Sequence, residues 1–133
     1  MLSNFSFHHI GYATDSIEKT SKFFIELGYS VTHSIFDDLQ NVNIAFLSKI
    51  GSPIIELVEL VNEQSPVLTI ITKNGVSPYH ICYEVEEIDH SIDELRKLKF
   101  VLLFKPVPAI ALNGRMICYL FNKNVGLIEL LNR

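Results

Sequence analysis

The sequence contains no tryptophan and few cysteines, prolines or glycines: two, five and six, respectively, among 133 residues. Its glycines form no Gly-rich phosphate loop, and no nucleophile elbow is present. Cys82 and Cys118 could pair as a disulfide. However, both lie in strand-like segments, and two buried thiols in a reducing compartment are favoured.

Long apolar runs are also missing. No segment approaches the roughly 18 apolar residues that a membrane span requires. The formal charge is −4 and the pI is near 5.7, and the eleven Lys and Arg residues are scattered, so nothing indicates nucleic-acid binding. The N-terminal sequence lacks the basic and apolar regions of a signal peptide. We therefore expect a cytoplasmic protein that binds neither membrane nor nucleic acid.

What is present indicates one globular domain. Apolar residues make up 48% of the chain and charged residues 20%, an ordinary balance for a folded domain. A chain of 133 residues is long enough for a core that folds unaided. The prediction is therefore a single domain over residues 1–133.

The chain contains an internal repeat. Phe7-His8-His9-Ile10-Gly11-Tyr12 aligns with Pro78-Tyr79-His80-Ile81-Cys82-Tyr83 at an offset of 80 − 9 = 71. Ile55-Glu56-Leu57-Val58 aligns with Ile128-Glu129-Leu130-Leu131 at 129 − 56 = 73. Two ordered matches indicate two copies of one structural unit, which differ slightly in length.

Each copy reads as a strand, a helix and three further strands. Module 1 covers about residues 5–61, a linker covers 62–77, and module 2 covers about 78–133. The predicted strands are 5–14, 29–36, 42–48 and 53–61 in module 1, and 78–85, 101–105, 115–121 and 126–131 in module 2. Asp15 is predicted to cap the first helix and Gly28 to end it, and 66–72 is a candidate short helix. The fold class is therefore α+β, with two tandem βαβββ modules forming a cupped mixed sheet around one site.

Strand alternation selects the polar residues that could form this site. His80, Cys82 and Glu84 share one strand face, while the apolar face of the same strand is available to the helix. The same parity selects His9 rather than His8 in module 1. Glu56 and Glu129 each lie in an apolar strand, where an unpaired carboxylate costs several kcal/mol.

A divalent ion shared by His9, Glu56, His80 and Glu129 would remove that cost, so these four residues are the predicted metal ligands. The alternative is a set of satisfied core histidines and solvent-facing glutamates. The donors fit Co, Ni, Mn or Zn about equally. Other polar residues are weaker candidates: His33 and His90 read as surface residues, Glu59 lies on the opposite face from Glu56, and Arg115 could hold an anionic group or lie in a solvated turn.

Several motifs resemble the glyoxalase / bleomycin-resistance / extradiol-dioxygenase superfamily, also called vicinal oxygen chelate proteins. The resemblance covers nearly the whole chain and is carried by these segments: His9-Ile-Gly-Tyr-Ala, Asn43-Ile-Ala-Phe-Leu, Ile54-Ile-Glu56-Leu-Val-Glu, Tyr79-His80-Ile-Cys-Tyr-Glu-Val and Gly126-Leu-Ile-Glu129-Leu. Within the superfamily the sequence is most similar to the methylmalonyl-CoA epimerases, whose second half typically has Gly-Lys-x-x-x-Phe-Leu where Gly114-Arg115-Met116-Ile117-Cys118-Tyr119-Leu120 stands here. The resemblance places His9, His80 and Glu129 on metal ligands, and Glu56 where epimerases have Glu or Gln.

The sequence departs from the epimerases in two places. Leu39 stands where some of them carry an acidic residue, with Asp38 one step before it. The loop before Gly114 reads Ala111-Leu112-Asn113, where Ala-His or Ala-Arg is common. Both departures leave the substrate open.

The resemblance implies a metal-dependent isomerase that epimerises a small acyl thioester through a metal-stabilised enolate. Glu129 is the candidate base, with Glu56 as its partner. Two alternatives stay open: a glyoxalase I-type lactoylglutathione lyase acting on a hemithioacetal, and a non-enzymatic drug- or metabolite-binding protein of the same fold. A homodimer is common for such folds, and the oligomeric state is open.

Overall fold

The computed structural model describes all residues, Met1–Arg133, and they group into two compact units. One unit is His9–Tyr79, and the other comprises Met1–His8 with His80–Arg133. The fold class is α+β with mixed sheet pairing and three helices, as predicted. None of the helices has the length and apolar character needed to cross a membrane.

The elements of module 1 follow the predicted order with one change. They are β1 (Ser6–Thr14), α1 (Ile17–Glu26), β2 (Ser30–Val31), β3 (Ile35–Asp37), β4 (Val42–Ser48) and β5 (Ile54–Leu60). The single strand predicted over 29–36 is wrong, because it is divided into β2 and β3. At the break, the Thr32 side chain accepts a hydrogen bond from the Phe46 backbone N–H at 2.9 Å, while the Thr32 backbone N–H still donates to the Phe46 carbonyl at 3.0 Å.

Module 2 repeats this pattern. After α2 (Leu68–Asn74), its elements are β6 (Ser77–Val85), α3 (Ile88–Lys97), β7 (Val101–Leu102), β8 (Val107–Ala109), a 3₁₀ turn at Ile110–Leu112, β9 (Arg115–Asn122) and β10 (Gly126–Asn132). The strand predicted over 101–105 is likewise shorter, and β8 was not predicted. The predicted short helix is present as α2, shifted by two residues.

Strand pairing is the same in the two modules. β1 pairs with β5 in parallel and β4 pairs with β5 antiparallel. Correspondingly, β6 pairs with β10 in parallel and β9 pairs with β10 antiparallel. The last strand of each module therefore lies between the first strand and the long strand that precedes it in the sequence, so a residue at its centre has neighbours on both sides.

Helices α1 and α3 each pack on one face of their own module's strands. In module 1 the core contains Ile17, Ala45, Leu47, Ile55 and Leu57. In module 2 it contains Val85, Ile88, Ile92, Leu95, Cys118, Leu120, Ile128 and Leu130. The α3 residues follow the spacing of a one-sided apolar stripe.

The helix ends are set by local polar groups. The predicted Asp15 cap is wrong: Ser16 is the N-cap residue of α1, and its hydroxyl accepts a hydrogen bond from the Lys19 backbone N–H at 3.1 Å. Gly28 follows the C-cap with φ +95°, a conformation that favours glycine, so the predicted end of this helix is correct.

The two cysteines are free thiols, and both are fully buried. Cys82 pairs in register with Glu129, whereas Cys118 pairs with Leu130, so the two side chains lie on opposite strand faces. Burial, together with the charges of Glu129 and Asp89, raises the pKa of the Cys118 thiol to about 12. Cys118 is therefore a protonated, unreactive core residue at neutral pH.

Candidate functional site

A buried histidine and a buried glutamate lie together in module 1. His9 is on β1 and Glu56 is on the neighbouring strand β5, where Glu56 pairs in register with Gly11. His9 Nε2 is 3.5 Å from Glu56 Oε1, and the two side chains are 0% and 3% exposed. His9 lies two residues before Gly11 on β1, on the same strand face.

Module 2 contains the equivalent pair. His80 is on β6 and Glu129 is on β10, opposite Cys82. His80 Nε2 is 3.2 Å from Glu129 Oε1, and the side chains are 0% and 3% exposed. The repeat detected in the sequence therefore corresponds to a repeat of buried imidazole–carboxylate contacts.

Alternation along β6 and β10 separates these polar residues from the core. Ile128 and Leu130, on either side of Glu129, pack in the α3 core, so Glu129 points to the other face. Helix α3 covers only part of the apolar face of β6. Val85 is fully buried, whereas Ile81 on the same face remains 39% exposed. In β1, His9 is fully buried while His8 is only partly buried.

An aromatic ring contacts each histidine, a feature that we did not predict. Phe46 on β4 lies edge-on to His9 with ring centroids 5.8 Å apart, and Tyr119 on β9 lies edge-on to His80 at 5.2 Å. Each ring also pairs in register with the glutamate of its module. The sequence repeat could have indicated this pair of rings, because 119 − 46 = 73 is the same offset that relates the two glutamates.

Arg115 and Glu84 belong to an ion cluster near the ends of β6 and β10. The Arg115 guanidinium donates hydrogen bonds to Glu84 and to the Asn132 carbonyl, and Arg133 donates to Glu84 and Glu86. The hydrogen bond from Arg115 lowers the pKa of Glu84, burial opposes this, and Arg133 lowers it further. The solvated turn considered for Arg115 is therefore wrong, since its charge is paired within the protein.

The weaker candidates from the sequence take ordinary structural places. Glu59 accepts hydrogen bonds from the Ile17 backbone N–H at 2.7 Å and from the Asn43 side chain at 2.9 Å. His33 is exposed. His90 is 68% exposed and lies 3.4 Å from Glu94, one helical turn further along α3. Glu59 and His90 therefore make structural contacts, and His33 is a surface residue.

The donor chemistry fits a divalent cation. Buried imidazole nitrogens and carboxylate oxygens are the ligands that Co, Ni, Mn and Zn accept in proteins. Each His–Glu pair could therefore contribute one nitrogen and one oxygen to an ion.

Comparison with known proteins agrees with this architecture. The family model described as "Glyoxalase/Bleomycin resistance protein/Dioxygenase superfamily" matches residues 8–119. Because that match covers most of the chain, the protein belongs to this superfamily.

Within the superfamily, the chain is similar to methylmalonyl-CoA epimerases. It is 28% identical to the human mitochondrial methylmalonyl-CoA epimerase over 127 residues, which cover 92% of this chain and 71% of the human protein. Among solved structures, a point variant of the Streptomyces coelicolor methylmalonyl-CoA epimerase in complex with 2-nitronate-propionyl-CoA has a TM-score of 0.82 at 26% identity, covering 98% of each chain.

A protein named without a function is similarly close in fold. The hypothetical protein BH1468 from Bacillus halodurans C-125 has a TM-score of 0.86 at 29% identity, covering 98% of this chain and 96% of its own. The predicted superfamily and its closeness to epimerases are thus confirmed.

Proposed function

We propose that this protein is a divalent-metal-dependent epimerase of a small acyl thioester, similar to methylmalonyl-CoA epimerase, and that His9, Glu56, His80 and Glu129 bind one ion. The observation that carries the proposal is the pair of buried His–Glu contacts at equivalent positions of the two modules. The similarity to epimerases supplies the reaction class.

In this proposal the metal has a limited role. When bound, a divalent ion supplies Lewis-acid polarisation of the substrate carbonyl, which favours loss of the adjacent proton. The two imidazoles hold fixed positions, because each is packed against an aromatic ring. Co, Ni, Mn and Zn all fit the donor set, and the identity of the ion is left to metal analysis.

The protein groups handle the proton. Epimerisation removes the α-hydrogen of the thioester and returns a proton to the opposite face of the same carbon. A carboxylate can change protonation state in this way, whereas a fixed imidazole ligand cannot. We assign proton removal to Glu129, with Glu56 as its partner.

Isotope exchange tests the proposal. The metal-loaded protein, incubated with 2-methylmalonyl-CoA in deuterated water, should exchange the α-hydrogen, and removing the metal with a chelator should stop the exchange. Adding the metal back should restore it, which separates metal removal from irreversible damage. Absence of exchange with a metal-loaded, folded protein would rule out the epimerase assignment.

A glyoxalase I-type lyase is the second candidate. The observation that favours it is Glu56, since glyoxalase I resembles this chain in having glutamate there, whereas epimerases have Glu or Gln. With a thiol and an α-ketoaldehyde, such an enzyme would yield a hydroxyacyl thioester. Activity in neither assay would favour the non-enzymatic binding protein. A cytoplasmic location and a homodimer stay predictions.

A further inference from the structure

The residue beside the histidine is one of the places where the two modules differ in chemistry. Phe46 and Tyr119 occupy equivalent positions, each beside the histidine and opposite the glutamate of its module. Only Tyr119 carries a hydroxyl. The epimerase-like motif of the second half has Phe at this position, so the hydroxyl also distinguishes this chain from that pattern.

Contacts on two sides fix the Tyr119 ring. Its centroid is 5.2 Å from the His80 ring at an interplanar angle of 77°, and 5.6 Å from the Phe104 ring at 65°. Edge-to-face packing of this kind restrains the ring plane. Tyr119 is partly exposed, whereas His80 and Glu129 are buried. Tyr119 therefore lies beside a buried His–Glu pair and is not itself fully buried.

We propose that Tyr119 is a substrate-binding residue whose hydroxyl donates a hydrogen bond to an anionic oxygen of the bound acyl thioester. This inference rests on the proposed function. A tyrosine hydroxyl can donate one hydrogen bond. Hydrogen bonds to charged acceptors are roughly twice as strong as neutral ones. Phe46 cannot offer the same interaction, so module 2 would orient the substrate.

Tyr119→Phe is the direct test, because it keeps the ring packing against His80 and removes only the hydroxyl. The probe is 2-nitronate-propionyl-CoA, the anionic compound named in the Streptomyces complex. Calorimetry on the metal-loaded variant should show about tenfold weaker probe binding, the loss expected for a hydrogen bond to a charged group. Metal stoichiometry and metal affinity should stay unchanged.

Tyr83→Phe is the matched control. Tyr83 lies on the helix-facing side of β6, opposite the face that carries His80. There it packs edge-on against Phe5 and Phe7. Loss of its hydroxyl should leave the affinity for the probe unchanged. A loss of probe affinity equal to that of Tyr119→Phe would contradict the proposal, because it would show a general effect on the fold.

The outcomes separate this inference from the proposed function. If the wild type exchanges the α-hydrogen and Tyr119→Phe binds the probe as tightly as wild type, the role of Tyr119 is wrong and the epimerase survives. If the wild type binds the probe without exchange and Tyr119→Phe binds it more weakly, the role stands and the reaction is wrong. If the metal-loaded wild type does not bind the probe, both are wrong.

Discussion

The two modules share a set of side-chain contacts around the last strand but differ in the charged residues near it. Each has a His–Glu pair, an aromatic ring against the histidine, and a side chain from the last strand bound to the first backbone N–H of the helix. These features recur at offsets of 71 and 73 residues. The repeat therefore preserves a frame in which the last strand contacts the histidine on one face and the helix on the other.

The difference lies in the charge around that frame. Module 2 has Glu84 and Arg115 as an ion pair, with Arg133 also bound to Glu84. The equivalent residues of module 1, by the offsets 84 − 71 = 13 and 115 − 73 = 42, are Ala13 and Val42. Both are buried and apolar, at 0% and 2% exposure. The comparison teaches that module 1 stabilises this region with packing, whereas module 2 stabilises it with charge.

Removing one histidine from each module tests the shared frame, and we expect the largest effect here. If the proposed site takes ligands from both pairs, His80→Ala and His9→Ala should each reduce the metal content from about one ion per chain to near zero. Metal analysis, with circular dichroism to verify folding, measures this. If either variant retained a full equivalent of metal while folded, that histidine would not be a ligand.

Exchanging each glutamate for glutamine asks whether the two carboxylates are equivalent. Glu56→Gln should keep metal and much of the exchange activity, because an amide oxygen can still bind a cation. Glu129→Gln should lose most turnover even where metal remains, because an amide cannot accept the substrate proton. Metal content and deuterium exchange, measured together, separate the two effects.

The reverse result would exchange the two roles. If Glu56→Gln were inactive and Glu129→Gln active, then Glu56 would be the base. If both variants stayed active, the base would be another residue. Asp38 would be the next to test, since it is exposed and precedes the position where some epimerases carry an acidic residue.

The fold could be predicted because the repeat and the turn residues are local signals. The long strand over 42–48 was placed with its observed ends, and its module-2 equivalent began at the predicted residue, Arg115. The short edge strands were harder to predict from the sequence. The break between β2 and β3 depends on Thr32 contacting Phe46 fourteen residues away, and alternation within the segment does not encode that contact.

The candidate ligands could be predicted from local sequence patterns, whereas the residues around them could not. Apolar flanks made Glu56 and Glu129 conspicuous, and strand parity then selected the histidines. The ion cluster could not be predicted from local sequence patterns, because Arg115 and Glu84 are 31 residues apart and Arg133 and Glu84 are 49 apart. The helix cap also depended on geometry, since Asp15 and Ser16 are adjacent and both residue types cap helices well.

Acid titration tests the charge that distinguishes module 2. Because the folded-state pKa of Glu84 lies below its ordinary value of 4.5, its stabilisation is complete above that pH. It is lost as the pH falls through the folded-state pKa. Glu84→Gln should therefore lower the free energy of unfolding by about 1 kcal/mol near neutral pH, a modest value because the pair is partly exposed.

The deficit should shrink at acidic pH, as the pH falls through the folded-state pKa of Glu84 and the wild-type carboxylate also becomes protonated. Urea unfolding of chelator-treated protein at both pH values measures it. Glu63→Gln, at an exposed linker position, serves as the control and should show little change. A deficit that did not vary with pH would mean that Glu84 contributes through packing rather than charge.

The helix caps provide the finest comparison, since the same contact is made by a charged side chain in module 1 and a neutral one in module 2. Glu59 Oε2 accepts from the Ile17 N–H at 2.7 Å, and Asn132 Oδ1 accepts from the Ile88 N–H at 2.8 Å. Glu59→Ala and Asn132→Ala should each lower the free energy of unfolding by about 1 kcal/mol.

Salt should separate the two caps. The attraction of Glu59 to the helix N-terminus is electrostatic, so its contribution should fall between about 0.05 M and about 1 M NaCl. The neutral Asn132 cap should be nearly insensitive, whereas Asn132→Asp should acquire the salt dependence of Glu59. Urea unfolding at the two salt concentrations measures all three variants. Equal salt responses for Glu59→Ala and Asn132→Ala would show that the charge of Glu59 adds nothing beyond its hydrogen bond, and the two modules would then stabilise their helices in the same way.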